Sequence, residues 1–184
     1  DGSWLLIIFA GNDTTRNSLS GTIRLLTQFP EQRRLVLNDP SLVDRMSHEA
    51  LRMVSPVMHM RRTAMEDTEV AGQLIAKDEK VVMWYGAANR DPTVFPDPDK
   101  FDMTRDNVEK HLAFGHGVHR CLGNRVAQLQ LKLAYERILD RFPNIHWTGR
   151  QKIEPIILVH AISSLRVNLY GENGKRPVMI PVKD

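Results

Sequence analysis

"FGHGVHRCLG", residues 114–123, holds the one cysteine of a 184-residue chain. Three glycines, two histidines and a phenylalanine crowd around Cys121. A cysteine that only fills a core behaves as a small hydrophobe and needs no such surroundings. Gly115 and Gly117 permit left-handed turns and let backbone come close to a flat ligand. Gly123 stands two residues after the sulfur, where a helical pattern begins. The N–H groups and dipole at such a helix start stabilise a thiolate. Phe114 is placed to shield it. Together these features read as a thiolate that holds haem iron, a ligation that favours O–O cleavage.

Zinc is the competing reading. His111, His116, His119 and Cys121 are four zinc-capable side chains. Their spacings match no common zinc pattern, and a zinc site has no use for Phe114 or so many glycines.

Outward from the cysteine, Asn124 to about Arg141 has strong helical spacing. Leu122, Val126, Leu129 and Leu133 form one stripe and Leu131, Tyr135 and Ile138 another, so burial over more than one face is expected. Upstream, "NRDPTVFPDPDKFDMTRDN" (89–107) is too polar and interrupted for a regular element. Its aromatics, Phe95 and Phe101, indicate a packed loop.

Two further stretches carry chemistry. In "FAGNDTTRN" (9–17), Asp13 and Thr14 lie mid-helix, a costly place for residues that compete for backbone hydrogen bonds. Gly11 weakens the helix further. Leu5 to Ala10 is apolar all round, so these turns are expected to be buried. Ala10-Gly11 makes a dent in the helix face, beside which a hydroxyl and a carboxyl could hold dioxygen and pass protons to it. Glu49 and Arg52, at i and i+3, share a helix face. Most such pairs are surface decoration. The apolar neighbours Met46, Ala50, Leu51 and Met53 favour burial here, and Arg105 in the Asp/Pro loop is the expected further partner. At Arg61-Arg62, strand alternation puts one arginine on each face; the two readings are an inward arginine set on a buried anion and a pair of snorkelling surface arginines.

Composition narrows the class. Hydrophobic residues are 42% and charged residues 26%, as in a soluble globular domain. A net charge of +3 without a Lys/Arg run gives no case for nucleic acid. A lone cysteine excludes an internal disulfide framework and fits a reducing, cytoplasmic compartment. The early apolar run, Trp4 to Ala10, is too short for a membrane span. The chain opens on Asp1 inside a helical pattern, so an absent N-terminal part is expected.

The remaining order is readable from period and punctuation. A helix from Trp4 to about Gln28 stops at Pro30. Short and longer helices follow at 31–37 and 42–54, separated by a cap at 38–41 and closed by Ser55-Pro56. Strands are expected at 59–64, 68–71, 73–75 and 81–85, then between 145 and 170 with a turn near 161–164. The fold class is mainly α with a small β-sheet component.

Taken together, these residues resemble the cytochrome P-450 family of haem-thiolate monooxygenases. Phe114, Gly115, Gly117, His119, Cys121 and Gly123 fit its cysteine loop. Ala10 to Thr15 fits its oxygen-activating groove, and Glu49, Arg52 and Arg105 its Glu-x-x-Arg helix and third triad arginine. The resemblance covers essentially all of 1–184, as the C-terminal haem-binding half of one domain. It implies haem b (iron protoporphyrin IX) with Cys121 as axial ligand. Arg62 and His119 would bind propionates, and Ala10, Gly11, Phe114, Gly115, Leu122 and Gly123 would lie against the haem. Thr14 would hydrogen-bond dioxygen, Asp13 would relay protons, and the triad would lock the cysteine loop. Phe9, Ala10, Val57, Met58, Ala161 and Ile162 would face a small apolar substrate. Electrons would come from NAD(P)H through a ferredoxin-type partner that meets Arg120, Arg125 and Lys132.

A narrower likeness, through "HMRRTA", "KVVMWY", "NRD" and "HRCLGNR", connects the chain to soluble bacterial hydroxylases of alkane and fatty-acid termini. Branches acting on terpenes or sterol side chains share parts of these strings. A peroxide-using haem-thiolate enzyme and an inactive truncated haem-binding fragment are the other readings.

Overall fold

The computed structural model describes residues 2–154, 158–159 and 161–171. Four helices among the described residues build the core. Helix α1 (Gly2–Gln28) ends where Phe29-Pro30 turns the chain into α2 (Pro30–Asn38). Asp39 then accepts the Ser41 amide at 3.0 Å and caps a short 3-10 turn at Pro40–Leu42. Helix α3 (Val43–Val54) follows and closes on Ser55 in the left-handed region, with Pro56 behind it. Helix α5 (Asn124–Arg141) lies downstream of the cysteine. Leu25 and Leu26 of α1, Met46, Ala50 and Leu51 of α3, and Leu131, Tyr135 and Leu139 of α5 bury into one cluster. Phe101 and Met103 reach it from the Asp/Pro loop, so that polar stretch is a packed loop. Helices α1 and α3 approach closely at Gly21, where a built Cβ would stand 2.5 Å from Val54 Cγ2.

Three two-stranded antiparallel sheets flank the helices. Strand β1 (His59–Thr63) pairs with β4 (Lys80–Trp84), with Arg61 opposite Val82. Strand β2 (Thr68–Val70) pairs with β3 (Gln73–Ile75) across a tight turn in which Ala71 and Gly72 both have positive φ. Strand β5 (His146–Glu154) pairs with β6 (Ala161–Asn168) with register shifts. A one-turn helix, α4 (Tyr85–Ala88), leads into the Asp/Pro loop. The structure thus has the expected mainly helical class with small sheets. No helix among the described residues is long and apolar enough to cross a membrane.

Three expectations fail. The turn expected near 161–164 is strand: Ala161 and Ile162 are 4% and 3% exposed in β6, and the Ile162 amide donates to Asn17 Oδ1 at 2.9 Å. Trp4 to Phe9 is not buried, because none of the described residues covers the first turns of α1. The α5 stripe Leu122, Val126, Leu129 and Leu133 is exposed, at 97% for Leu122, while Leu131 and Tyr135 carry the burial and Ile138 is half-buried. Helical period says which side chains share a face; cover must come from other chain.

Candidate functional site

The cysteine loop is closed by its own backbone. The Cys121 amide donates to the Phe114 carbonyl at 2.8 Å, and Gly115 N to Leu112 O at 2.9 Å. Gly115 and Gly117 sit at φ 70° and 69°, where a side chain would be strained. A 3-10 turn, Gly117–His119, then delivers Cys121 just ahead of α5. The thiol is free and exposed. Val118 and Leu122 beside it are 98% and 97% exposed, and Val126 and Leu129 continue the apolar surface along α5. Phe114 is half-buried against the core and lies 5.7 Å, ring to ring, from His111. His119 is exposed. A single soft donor on a glycine-built loop, set in uncovered apolar surface, fits a flat apolar macrocycle held through one thiolate. It does not resemble a closed zinc site. His111 points away to His48, and no three metal-capable side chains converge among the described residues.

Beneath the loop the structure brings Glu49, Arg52 and Arg105 together, all nearly excluded from solvent. Arg52 Nε and Nη2 donate to the two Glu49 oxygens at 2.8 and 2.7 Å. Arg105 Nε and the Asp102 amide donate to Glu49 Oε1 at 3.1 and 3.0 Å. Arg52 also donates to the carbonyls of Asn89 (2.8 Å), Pro98 (2.7 Å) and Lys100 (3.0 Å). All five of its N–H groups are therefore used. Arg105 donates to the carbonyls of Pro96, Asp97 and Lys100, which folds the Asp/Pro loop over α3.

Sequence reasoning missed the link from this triad to the cysteine loop. Asn89 is fully buried. Its carbonyl takes Arg52, its Oδ1 accepts the Leu112 amide at 2.6 Å, and its Nδ2 donates to Ser55 Oγ at 2.9 Å. Arg45 adds a second tie, donating to Met103 O and Arg105 O at 3.0 and 2.6 Å. A lone Asn before Arg-Asp-Pro carries no local signal for either role.

The dent on α1 is built as a hydroxyl ladder. Thr14 Oγ1 donates to Ala10 O at 2.7 Å, Ser18 Oγ to Thr14 O at 2.7 Å and Thr22 Oγ1 to Ser18 O at 2.8 Å. Tyr135 OH meets Thr22 Oγ1 at 2.6 Å and Ser18 O at 3.2 Å, so α5 is keyed to the same ladder. Burial pushes that phenol's pKa upward, which keeps it protonated at any working pH. At Gly11 a Cβ would meet nothing within 4 Å, so the dent opens outward. Asp13 pairs with Arg16 at 3.0 Å, both partly exposed, a contact too weak to fix the carboxylate.

The remaining expected residues are placed as follows. Phe9 and Ala10 lie on the exposed first half of α1. Val57 is half-buried and bridges to Val159, and the half-buried Met58 donates its amide to Leu158 O at 3.0 Å. Ala161 and Ile162 are packed in β6 rather than turned toward open space. Arg61 and Arg62 are both exposed. Arg62 donates to Arg61 O at 3.0 Å, so among the described residues neither arginine points into a buried site. Arg120 and Arg125 are exposed, whereas Lys132 is engaged by Glu136.

Several known proteins are similar to this chain. The family model for cytochrome P450 matches residues 36–161. Linalool 8-monooxygenase from Pseudomonas putida is 49% identical over 168 residues, 91% of this chain and 41% of that protein. Steroid C26-monooxygenase from Mycobacterium tuberculosis is 40% identical over 161 residues, 88% of this chain and 43% of that protein. The solved structure of cytochrome P450-153 from Novosphingobium aromaticivorans superposes with a TM-score of 0.86 at 45% identity, covering 90% of this chain and 42% of that one. The chain thus spans about two fifths of the length of the relatives it matches. The relatives' names speak of a terpene alcohol and a steroid, and give no support to the narrower alkane reading.

Proposed function

The chain belongs to the cytochrome P450 family, and from that premise we propose that the whole protein is a haem-thiolate monooxygenase acting on an apolar C–H bond. The observation that carries this is Cys121: a free, exposed thiol on a glycine-built loop, framed by apolar surface and anchored from below by a buried ion network. The overall step is R–H plus dioxygen plus two electrons and two protons, giving R–OH and water. When bound, the haem supplies the iron and redox chemistry for splitting dioxygen.

The chain's own residues do the rest. Cys121 would hold the iron through its thiolate. The Phe114 carbonyl keeps the loop in place, and Phe114, Gly115, Gly117, Leu122 and Gly123 would give the haem a close, apolar seat. The Glu49–Arg52–Arg105 network and Asn89 hold that seat rigid. His119 and Arg62 are exposed hydrogen-bond donors suited to propionates. On α1, Ala10 and Gly11 form the dent. The Thr14 hydroxyl is aligned by its bond to Ala10 O and turns from it to donate to dioxygen. Asp13 is loosely held by Arg16 and swings to pass protons in from solvent. Phe9, Val57 and Met58 are the described positions best suited to touch substrate. The terpene and steroid names of two relatives favour a substrate of that apolar class. Arg120 and Arg125 offer an exposed cationic patch beside Cys121 for an acidic ferredoxin-type donor of NAD(P)H-derived electrons.

The test uses the full-length, haem-loaded protein. Its reduced, carbon-monoxide-bound form should show the red-shifted band of thiolate ligation, and Cys121→His should abolish it. A parent protein without that band overturns the reading. Thr14→Ala separates a monooxygenase from a peroxide user: the first leaks peroxide and loses coupling, the second is little affected.

A further inference from the structure

Two buried imidazoles play no part in the chemistry above. His48, on α3, and His111, at the start of the cysteine loop, are 9% and 7% exposed. His48 Nδ1 stands 3.2 Å from His111 Nε2, and the rings are 5.4 Å apart. His111 Nδ1 in turn stands 3.2 Å from the Ala113 amide. A backbone amide only donates, so Nδ1 of His111 is its lone pair and Nε2 carries its hydrogen. His48 Nδ1 must then accept, which leaves the His48 hydrogen on Nε2. The backbone of the cysteine loop thus sets both tautomers, and the bond between the rings has one direction. His48 also lines a cleft of about 310 Å³, shared with Arg45 and residues 106–110, which gives solvent a route to it.

We propose that His48 and His111 are a positioning pair for the Cys121 loop, joined by one directional N–H···N bond that a proton entering through the cleft breaks. A proton on His48 Nδ1 puts two N–H donors face to face, and His111 cannot turn without giving up Ala113. Ala113 leads directly to Phe114, whose carbonyl holds the Cys121 amide at 2.8 Å. Release of His111 therefore loosens the loop at its root. The charges that act on the pair come from every neighbouring element. Asp44 on α3 and Glu109 favour the proton on His48, while Arg120 of the cysteine loop and Arg125 of α5 oppose it. Arg45, Asp106 and Lys110 line the cleft mouth. His48, Arg120 and Arg52 oppose a proton on His111. Burial is the largest influence on both rings and keeps both neutral, with His111 held down to about 3. His48 is the ring that takes the first proton.

The consequence for the thiolate rests on the haem-thiolate reading above; the pair itself does not. The test is an acid titration of the full-length, haem-loaded protein, from about pH 8 to about pH 4. The reduced carbon-monoxide form is used because it is diamagnetic, so the thiolate band and the histidine ring signals can be followed together. His48→Gln keeps an acceptor for His111 but cannot take the proton. It should retain the full band at neutral pH and lose it only at about tenfold higher proton concentration, one hydrogen bond's worth of protection. His48→Phe removes the acceptor and should weaken the band at every pH. The same acid profile in His48→Gln as in the parent overturns the proposal. So does a His111 ring that titrates near its ordinary 6.5. If no sample shows a thiolate band, the proposed function fails. The pair is then judged by the ring titration alone, where a neutral His111 whose signal moves as His48 protonates sustains it.

Discussion

Glu49→Gln leaves the shape of the buried triad almost unchanged and removes its only negative charge. In its better orientation the amide oxygen takes the Oε1 position and still accepts from Arg52 Nη2, Arg105 Nε and the Asp102 amide. The amide nitrogen then faces Arg52 Nε across what was a 2.8 Å bond, donor against donor. The reverse orientation turns two hydrogens on three donors and is worse. The substitution therefore loses one charge-assisted bond, about 1.5–3 kcal/mol, and weakens three others to neutral-acceptor strength. It also leaves two buried guanidinium groups without a counter-charge. The expected cost is about 3–5 kcal/mol, in the range for breaking a buried pair from one side. For a chain of this size that is a fall in Tm on the order of 10 °C. Urea unfolding followed by tryptophan fluorescence measures it, with an unchanged slope showing that only stability moved. Lys132→Met is the control, since the exposed Lys132–Glu136 pair is worth at most about 0.5 kcal/mol. A Glu49→Gln cost below about 1 kcal/mol, level with that control, would refute the argument that the network is electrostatically anchored.

Three further outcomes can be checked. Stability should decline on acidification between pH 6.5 and about 3, because the unfolded chain binds a proton there that folded His111 refuses; this one ring supplies up to about 1.4 kcal/mol per pH unit, fully present above 6.5, and His111→Gln should flatten the slope measured by unfolding at several pH values. Gly21→Ala should cost about 1–3 kcal/mol by pressing on Val54, and Val54→Ala should make it nearly neutral in a double-mutant cycle; additive costs would show that the two helices do not meet there. Tyr135→Phe should cost about 1 kcal/mol, since Thr22 keeps its own bond to Ser18 O; thermal unfolding reads this, and no loss would place the phenol outside the ladder.

What the sequence disclosed divides along a physical line. The start of helix α5 could be placed because Gly123 precedes an apolar period that runs on toward Arg141. Strand β3 was delimited by Gly72 before it and a charged turn after it. The Glu49–Arg52 contact is local, at i and i+3, and so was readable; Arg105, 56 residues from Glu49, was reached from its setting in an ordered Asp/Pro loop. The His48–His111 bond spans 63 residues and Asn89 reaches Leu112 across 23, and neither leaves a periodic mark. Ala161-Ile162-Ser163-Ser164 was misread as a turn because its small polar residues mimic one. In the fold Ala161, Ile162 and Ser164 pair with β5, and Ser163, at a register shift, donates its Oγ to Lys152 O at 3.3 Å. Burial of the first turns of α1 and of the Leu122 stripe was inferred from apolar pattern alone, which reports a face and not its cover.

The ladder along α1 acts as a ruler. Thr14, Ser18 and Thr22 are spaced by four, and the far end is nailed to another helix by a phenol. Inserting one residue between 14 and 22 would swing Thr14 by about 100° relative to that nail, and a deletion would swing it the other way. Length variation in this stretch of α1 is therefore tolerable only in near-whole turns, so insertions and deletions belong in the loops while the distance from Tyr135's anchor to the dent stays fixed.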